Sequence, residues 1–399
     1  MKGNIPEKSL NLFPLILVLY EIVNYLANDA YLPAMPTIAK ELHTSNDLVQ
    51  LTLTAFFLGN ATMQLLFGPI ADRYGRRRLL LSGGVIFILS TLICAFTNTI
   101  YTLLIARFFQ GSAVTSMIVA GYATIHAMYD QTRAIKTLSW MNGITVLAPA
   151  LGPLLGAAIL LIADWSWIFI ILAIGASLGW IALFYYMPET CEERIPIEPK
   201  HILSHYWRAL SNWQFIKPIV ALSLLFSAMI AWIAAGPFLI MDTFNYSAVV
   251  FGVLQCLVFG SFILGTHVVR RLVEKISIDK ITQISLSIVV FGGLFSLILN
   301  LLTKNYLASL ILPMMIFAFG SGIGFPVFNR LAIEGSQAPM GITMALLASF
   351  MGISGLFGSL LISALHMGTI FGFSVILLAF SFILLLIYRR NLFSLGPNK

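Results

Sequence analysis

Leu19-Tyr20-Glu21-Ile22-Val23-Asn24-Tyr25-Leu26-Ala27-Asn28-Asp29 lies inside the first long apolar run of the chain, and its two acids govern how the rest is read. If that run crosses a bilayer, each ionised carboxylate within it costs about 2.5 to 3.5 kcal/mol on insertion scales. Acids kept at that cost point to a proton or substrate site. At 1.5 Å and 100° per residue, the two are about 12 Å apart along the helix axis and about 80° apart around it. One helix therefore offers both to the same side at two depths, Glu21 near the midplane and Asp29 in the outer half.

Composition supports the membrane reading: of 399 residues, 59% are hydrophobic and 10% charged, against about 25% charged in a soluble domain. The first apolar run follows a head carrying Lys2, Glu7 and Lys8, lacks a small-residue cleavage site and continues through acids, so it is expected as a retained helix. The net charge of +7 is spread over short loops as topology signals, which argues against nucleic acid as a partner. Cys94 and Cys256 fall in apolar segments and Cys191 in a polar linker, with no metal-type spacing or disulfide framework. His201 and His205 are four apart but have no acidic or Cys partner, so a solvated face is expected there and no metal. No cofactor is expected either.

About 20 apolar residues are needed per crossing, and twelve candidates emerge, at 11–32, 48–70, 79–97, 101–124, 136–162, 166–187, 215–241, 248–270, 281–302, 306–329, 339–363 and 367–388. With both termini placed in the cytoplasm, twenty of the 23 Lys and Arg residues fall inside, Lys40 and Lys304 fall outside, and Arg107 alone lies in a span. This asymmetry predicts an even helix number and cytoplasmic termini. The expected fold is all-α and integral to the membrane. A six-helix bundle (1–187), a cytoplasmic linker (188–214) and a second six-helix bundle (215–399) follow in order. Two similar blocks suggest a duplicated transporter that rocks about a site at the bilayer midplane. The linker, with Tyr206, Trp207 and Trp213 among basic residues, is expected to hold a helix at the membrane surface.

Of the sixteen acids, fourteen map to loops or helix ends, leaving Glu21 and Asp29 alone in the bilayer. Arg107 enters its span from the outer side, at a depth similar to Asp29. A buried guanidinium keeps its charge and needs a partner. Asp29 is expected to supply it, directly or through Gln110 and neighbouring backbone. The alternatives are that Arg107 is a fixed strut, or that Asp29 is its permanent counter-ion. Glu21 has no obvious partner within the membrane. A carboxyl that can sit protonated in a dry pocket and ionise when a cation arrives is what coupled proton and substrate movement requires.

Three motifs follow. Gly68-Pro69-Ile70-Ala71-Asp72-Arg73-Tyr74-Gly75-Arg76-Arg77-Arg78 reads as a tight cytoplasmic turn, with Gly75 free to take a positive φ and arginines at the headgroups. Arg107-Phe108-Phe109-Gln110-Gly111 carries the buried base. Ala148-Pro149-Ala150-Leu151-Gly152-Pro153-Leu154-Leu155-Gly156 sets Gly152 and Gly156 on one face for close helix contact, while Pro149 and Pro153 bend the helix. The first resembles the loop motif between helices 2 and 3 of the major facilitator superfamily. The second and third resemble motifs of its twelve-helix drug:proton antiporter family. Leu19-Tyr20-Glu21, Asn28-Asp29 and Gly121-Tyr122-Ala123 are similar to multidrug exporters of the MdfA type. Tyr31-Leu32-Pro33-Ala34-Met35-Pro36, Val49-Gln50-Leu51-Thr52 and the stretch from Gln64 to Arg77 are also similar to the Bcr/CflA group. The likeness is strongest in the first half, and Arg270 and Arg271 form only a degenerate copy of the loop motif.

That resemblance implies a proton-driven exporter of lipophilic, often cationic small molecules. It would work by alternating access as a monomer in the bacterial inner membrane, drawing on the proton gradient. It carries proton coupling and cation recognition onto Glu21 and Asp29, the motif arginine role onto Arg107, and a latch at the start of helix 11 onto Asp72. Further substrate contacts are expected at Tyr25, Asn28, Met141, Asn142, Trp232 and Phe238. Three other readings stay open: a dedicated exporter of a secreted metabolite such as a siderophore, an uptake symporter, and a membrane enzyme. The helix 5 motif counts against the symporter. The enzyme would need a cluster of polar catalytic groups, and none is apparent.

Overall fold

The computed structural model describes residues 7–145, 147–191, 206–303, 306–338, 340–364 and 369–393, and they are almost entirely helical. His201 and His205 lie outside them. The chain forms two compact units, Met1–His201 and Ile202–Lys399. Among the described residues eleven helices are long and apolar enough to cross a membrane. The helix Asn46–Tyr74, with 29 residues, is about 43 Å long and has the length of a twelfth.

In the first unit the spans are α1 (Glu7–Asp29), continued by a 3₁₀ turn (Leu32–Ala34) and α2 (Met35–Glu41), then α3 (Asn46–Tyr74), α4 (Arg76–Phe96), α5 (Ile100–Ser116) running through a π-helical turn (Met117–Gly121) into α6 (Tyr122–Met128), α7 (Gln131–Thr145) with α8 (Ala148–Leu160), and α9 (Ser166–Tyr186). The second unit holds α10 (Trp213–Pro237) with a π-helical end (Phe238–Thr243), α11 (Ala248–Leu272), α12 (Ile278–Thr303), α13 (Leu307–Gly335), α14 (Met340–Ala364) and α15 (Ile370–Phe393). Helix starts follow local chemistry: Ser45, Thr99, Asn212 and Ser247 each accept a hydrogen bond from a first-turn amide, which satisfies a donor that has no intrahelical partner.

In the fifth span, expected as one bent helix over 136–162, Leu147 lies in a turn between α7 and α8. Pro149 accounts for the turn, because its ring clashes with the carbonyl four residues back, that of Thr145. Each unit packs its six spans in the same order: second on fourth, third on fourth and sixth, first on fifth. Both second-to-fourth contacts use glycine in place of side chains. A Cβ on Gly59 or Gly111 would strike the backbone of the facing helix, and Gly265 and Gly322 meet in the same way in the second unit. Small residues allow this approach where no hydrophobic effect drives helices together.

Candidate functional site

The first helix is fixed around Tyr20, which is 2% exposed and lies against Gly84 and Gly179, where larger residues would clash with its ring or hydroxyl. One position on, Glu21 is fully buried. Its Oε1 accepts a hydrogen bond from the Tyr122 hydroxyl at 2.6 Å, while its Oε2 is buried with no partner. Tyr122 reaches Glu21 because it follows the π-helical turn Met117–Gly121. One extra residue in a turn swings the following side chains by about 100°. Gly121 lets this segment approach, since a Cβ there would lie 2.9 Å from the Leu17 methyls. The Tyr25 phenol sits close enough to feel the charge of both Glu21 and Asp29.

One turn beyond Tyr25, Asp29 is 4% exposed and its Oδ1 accepts from Asn28 Nδ2 at 3.2 Å. Arg107, fully buried, donates from Nη1 to the Ala27 carbonyl at 2.8 Å and to Gln110 Oε1 at 2.5 Å, and from Nη2 to Asn28 Oδ1 at 3.4 Å. Its guanidinium lies between the rings of Tyr31 (4.3 Å) and Phe56 (4.7 Å), a desolvated cation–π arrangement. Gln110 is in turn anchored by donating to Thr91 Oγ1 at 2.8 Å. Arg107 and Asp29 therefore form no ion pair of their own. The Asn28 amide links them, accepting from the arginine and donating to the carboxyl. The link runs through Asn28 and not through Gln110, which was expected to supply it and instead fixes the arginine.

The helix 5 motif closes on the same place. A Cβ on Gly152 would lie 2.7 Å from Asp29 Cβ, and one on Gly156 would strike the Ala30 carbonyl, so these glycines make the room that Asp29 occupies. Pro153 is buried beside them and Pro149 opens the helix. Met141 is fully buried on α7. The side chains of Asn142 and Asp72 lie outside the described residues.

In the loop motif, Gly75 alone joins α3 to α4 and takes φ 101°, a conformation that side chains resist. Glu189, which sequence reasoning did not single out, sits beneath it. Its carboxyl accepts from the amides of Arg76 (3.1 Å) and Arg77 (3.3 Å), placing negative charge at the start of α4. Arg76 donates to the Ala123 carbonyl and Thr190 Oγ1, and Arg77 to the Phe184 carbonyl. The Arg73 guanidinium lies over its neighbour Tyr74, 5.3 Å from the ring centre. Gly68 has open space where a Cβ would stand, so packing within its own unit does not require it.

Thus the first unit assembles Glu21, Tyr25, Asn28, Asp29, Arg107, Gln110 and Gly152, together with Tyr122. Trp232 and Phe238 belong to the second unit. There Trp232 is fully buried and donates from Nε1 to Gln255 Oε1 at 2.7 Å, while Phe238 is 4% exposed at the start of a π-helical turn. Among the described residues no group of three or more His, Cys, Asp or Glu side chains is placed to hold a metal ion.

The family model described as Major Facilitator Superfamily matches residues 17–359. The chain is 33% identical to the chloramphenicol resistance protein CraA of Acinetobacter baumannii, covering 87% of this chain and 86% of that one. It is 30% identical to the multidrug transporter MdfA of Yersinia pestis (84% and 82%) and 29% identical to the multidrug resistance protein MdtM of Escherichia coli K12 (84% and 82%). Among solved structures, the D-xylose-proton symporter is similar in fold, with TM-score 0.70, 16% identity and coverage of 93% and 96%. So is a bacterial homologue of the human lysosomal transporter Spinster, with TM-score 0.72, 12% identity and coverage of 97% for both chains.

Proposed function

The chain belongs to the Major Facilitator Superfamily, and from that premise we propose that it is a multidrug exporter of the bacterial inner membrane, exchanging protons for lipophilic, often cationic molecules by alternating access. It is a multi-pass membrane transporter and not an enzyme. The relatives named for multidrug and chloramphenicol resistance support export of drugs over uptake of a nutrient or release of one dedicated metabolite. The proton gradient is the proposed energy source, with no cofactor, and a monomer is the proposed working unit. The Lys and Arg distribution supports cytoplasmic termini.

The observation that carries this reading is that both buried carboxyls of α1 are held by neutral partners. Glu21 leans on Tyr122 and Asp29 on Asn28, while Arg107 is engaged by backbone, amides and aromatic faces. Neither acid is locked in a permanent ion pair, so each is free to exchange a proton for a cation. Glu21 supplies the clearer chemistry. Oε1 accepts from the Tyr122 hydroxyl and the Tyr25 phenol also lies against the carboxyl, while Oε2 is buried without a donor of its own and can take a proton or a cationic donor.

Proton and substrate then exclude each other, because each neutralises the same carboxylate. Facing the cytoplasm, a cation displaces the proton; facing the more acidic exterior, a proton displaces the cation. Arg107 acts through Asn28, stabilising negative charge on Asp29 without quenching it.

Purified protein should release protons when a cationic compound is added. In Glu21→Gln that release and the transport of cations should vanish, while the variant remains folded in the membrane. Transport of every tested substrate at wild-type rates by Glu21→Gln would defeat the assignment.

A further inference from the structure

At one end of the first unit, the start of α1 and the start of α7 enclose an open groove of about 330 Å³ lined by Leu15, Tyr129, Arg133, Lys136, Thr137 and Trp140. The proton and drug chemistry of Glu21 and Asp29 makes no use of it. Both helices that form it run on into apolar stretches long enough to cross a membrane, so the groove lies toward one end of those spans.

Its chemistry is graded along the same direction. Arg133 and Lys136 are exposed at the outer end, and the Arg133 guanidinium is steadied 4.5 Å from the centre of the Tyr129 ring. Leu15 (45% exposed) and Trp140 (46%) lie toward the span, one turn further along α7 in the case of Trp140. The nearby acid, Asp130, accepts from the Arg133 backbone amide through Oδ1 at 2.7 Å. Two cations above two exposed apolar groups match a molecule with an anionic phosphate head and a hydrocarbon tail. A zwitterionic lipid would bring an ammonium group against Arg133 and Lys136. We propose that this groove is a binding site for an anionic phospholipid of the adjoining leaflet, its phosphate held by Arg133 and Lys136 and its acyl chain lying along Leu15 and Trp140.

The test uses the full chain in phosphatidylethanolamine nanodiscs, titrated with brominated phosphatidylglycerol while tryptophan fluorescence is read. The quenching removed by Trp140→Phe reports the groove alone. That component should saturate at a low mole fraction of phosphatidylglycerol. Arg133→Gln should raise the half-saturation point about fivefold, and adding Lys136→Gln should raise it about as much again. The charge-keeping pair Arg133→Lys with Lys136→Arg should stay near wild type, and the exposed single variant Lys136→Gln carries the test if the double variant fails to fold. Equal quenching by brominated phosphatidylethanolamine, or an unshifted half-saturation point in the neutral variants, would overturn the site and leave only ordinary boundary lipid. Competition by inorganic phosphate at the same component would assign the groove to a soluble anion and overturn the lipid.

Discussion

The two units repeat one packing order but hold different interiors. In the first, Glu21, Asp29 and Arg107 are all buried, whereas among the described residues of the second no charged side chain is. The buried polar contacts of the second unit are neutral: Trp232 to Gln255, Ser296 to Ser374, Ser285 to the Gly320 carbonyl and Ser227 to the Ser354 carbonyl. Such neutral contacts change little with protonation and add rigidity, although Gln255 Nε2 is left buried without a partner. The repeat thus keeps the helix scaffold in both halves and, among the described residues, the buried charged groups in one. Under the proposed exchange, proton coupling rests with the first unit.

Four substitutions and one control probe that division, the four in order of expected effect. Glu21→Gln should take proton-driven export of cations in vesicles down to the level of empty vesicles, whereas an unchanged rate would erase the contrast between the units. Gly156→Leu forces a side chain into the Ala30 carbonyl and should destabilise by about 3 kcal/mol, read as thermal unfolding in detergent. As a control in the second unit, Gly260→Leu on α11 has open space and should leave the melting curve in place. Gln255→Leu strands the buried Trp232 donor and should cost about 2 kcal/mol while substrate-induced proton release stays as in the wild type. A loss of proton release would bring the second unit into the coupling. Glu189→Gln weakens the charge at the start of α4 and should cost about 1 kcal/mol or less, with the deficit shrinking at high salt.

Much of this was legible in the chain itself, for identifiable reasons. Span positions follow from apolar length, whereas Pro149 and Pro153 signalled a bend in the fifth span and not the turn at Leu147. Glu21, Asp29 and Arg107 stand out because ionised groups are expensive in hydrocarbon. Contacts that depend on remote or irregular backbone were not legible. Tyr122 meets Glu21 only because a π-helical turn precedes it, and regular helical spacing gives no sign of that turn. Glu189 serves an amide 113 positions away in sequence, where no local periodicity applies. Asn28 shows as a polar neighbour of Asp29, but its bridging role needs Arg107 on the other side, and only the packing of α5 supplies that.

Gly152 ties the helix 5 motif to the acid on α1 through sheer lack of space, since any Cβ there would lie 2.7 Å from Asp29 Cβ. Inheritance is constrained accordingly. A descendant that enlarges residue 152 must shrink or shift residue 29 and so surrender the carboxyl, and one that loses the carboxyl is released from needing glycine. Across an alignment of such exporters the two positions should change together, although 123 positions separate them in this chain.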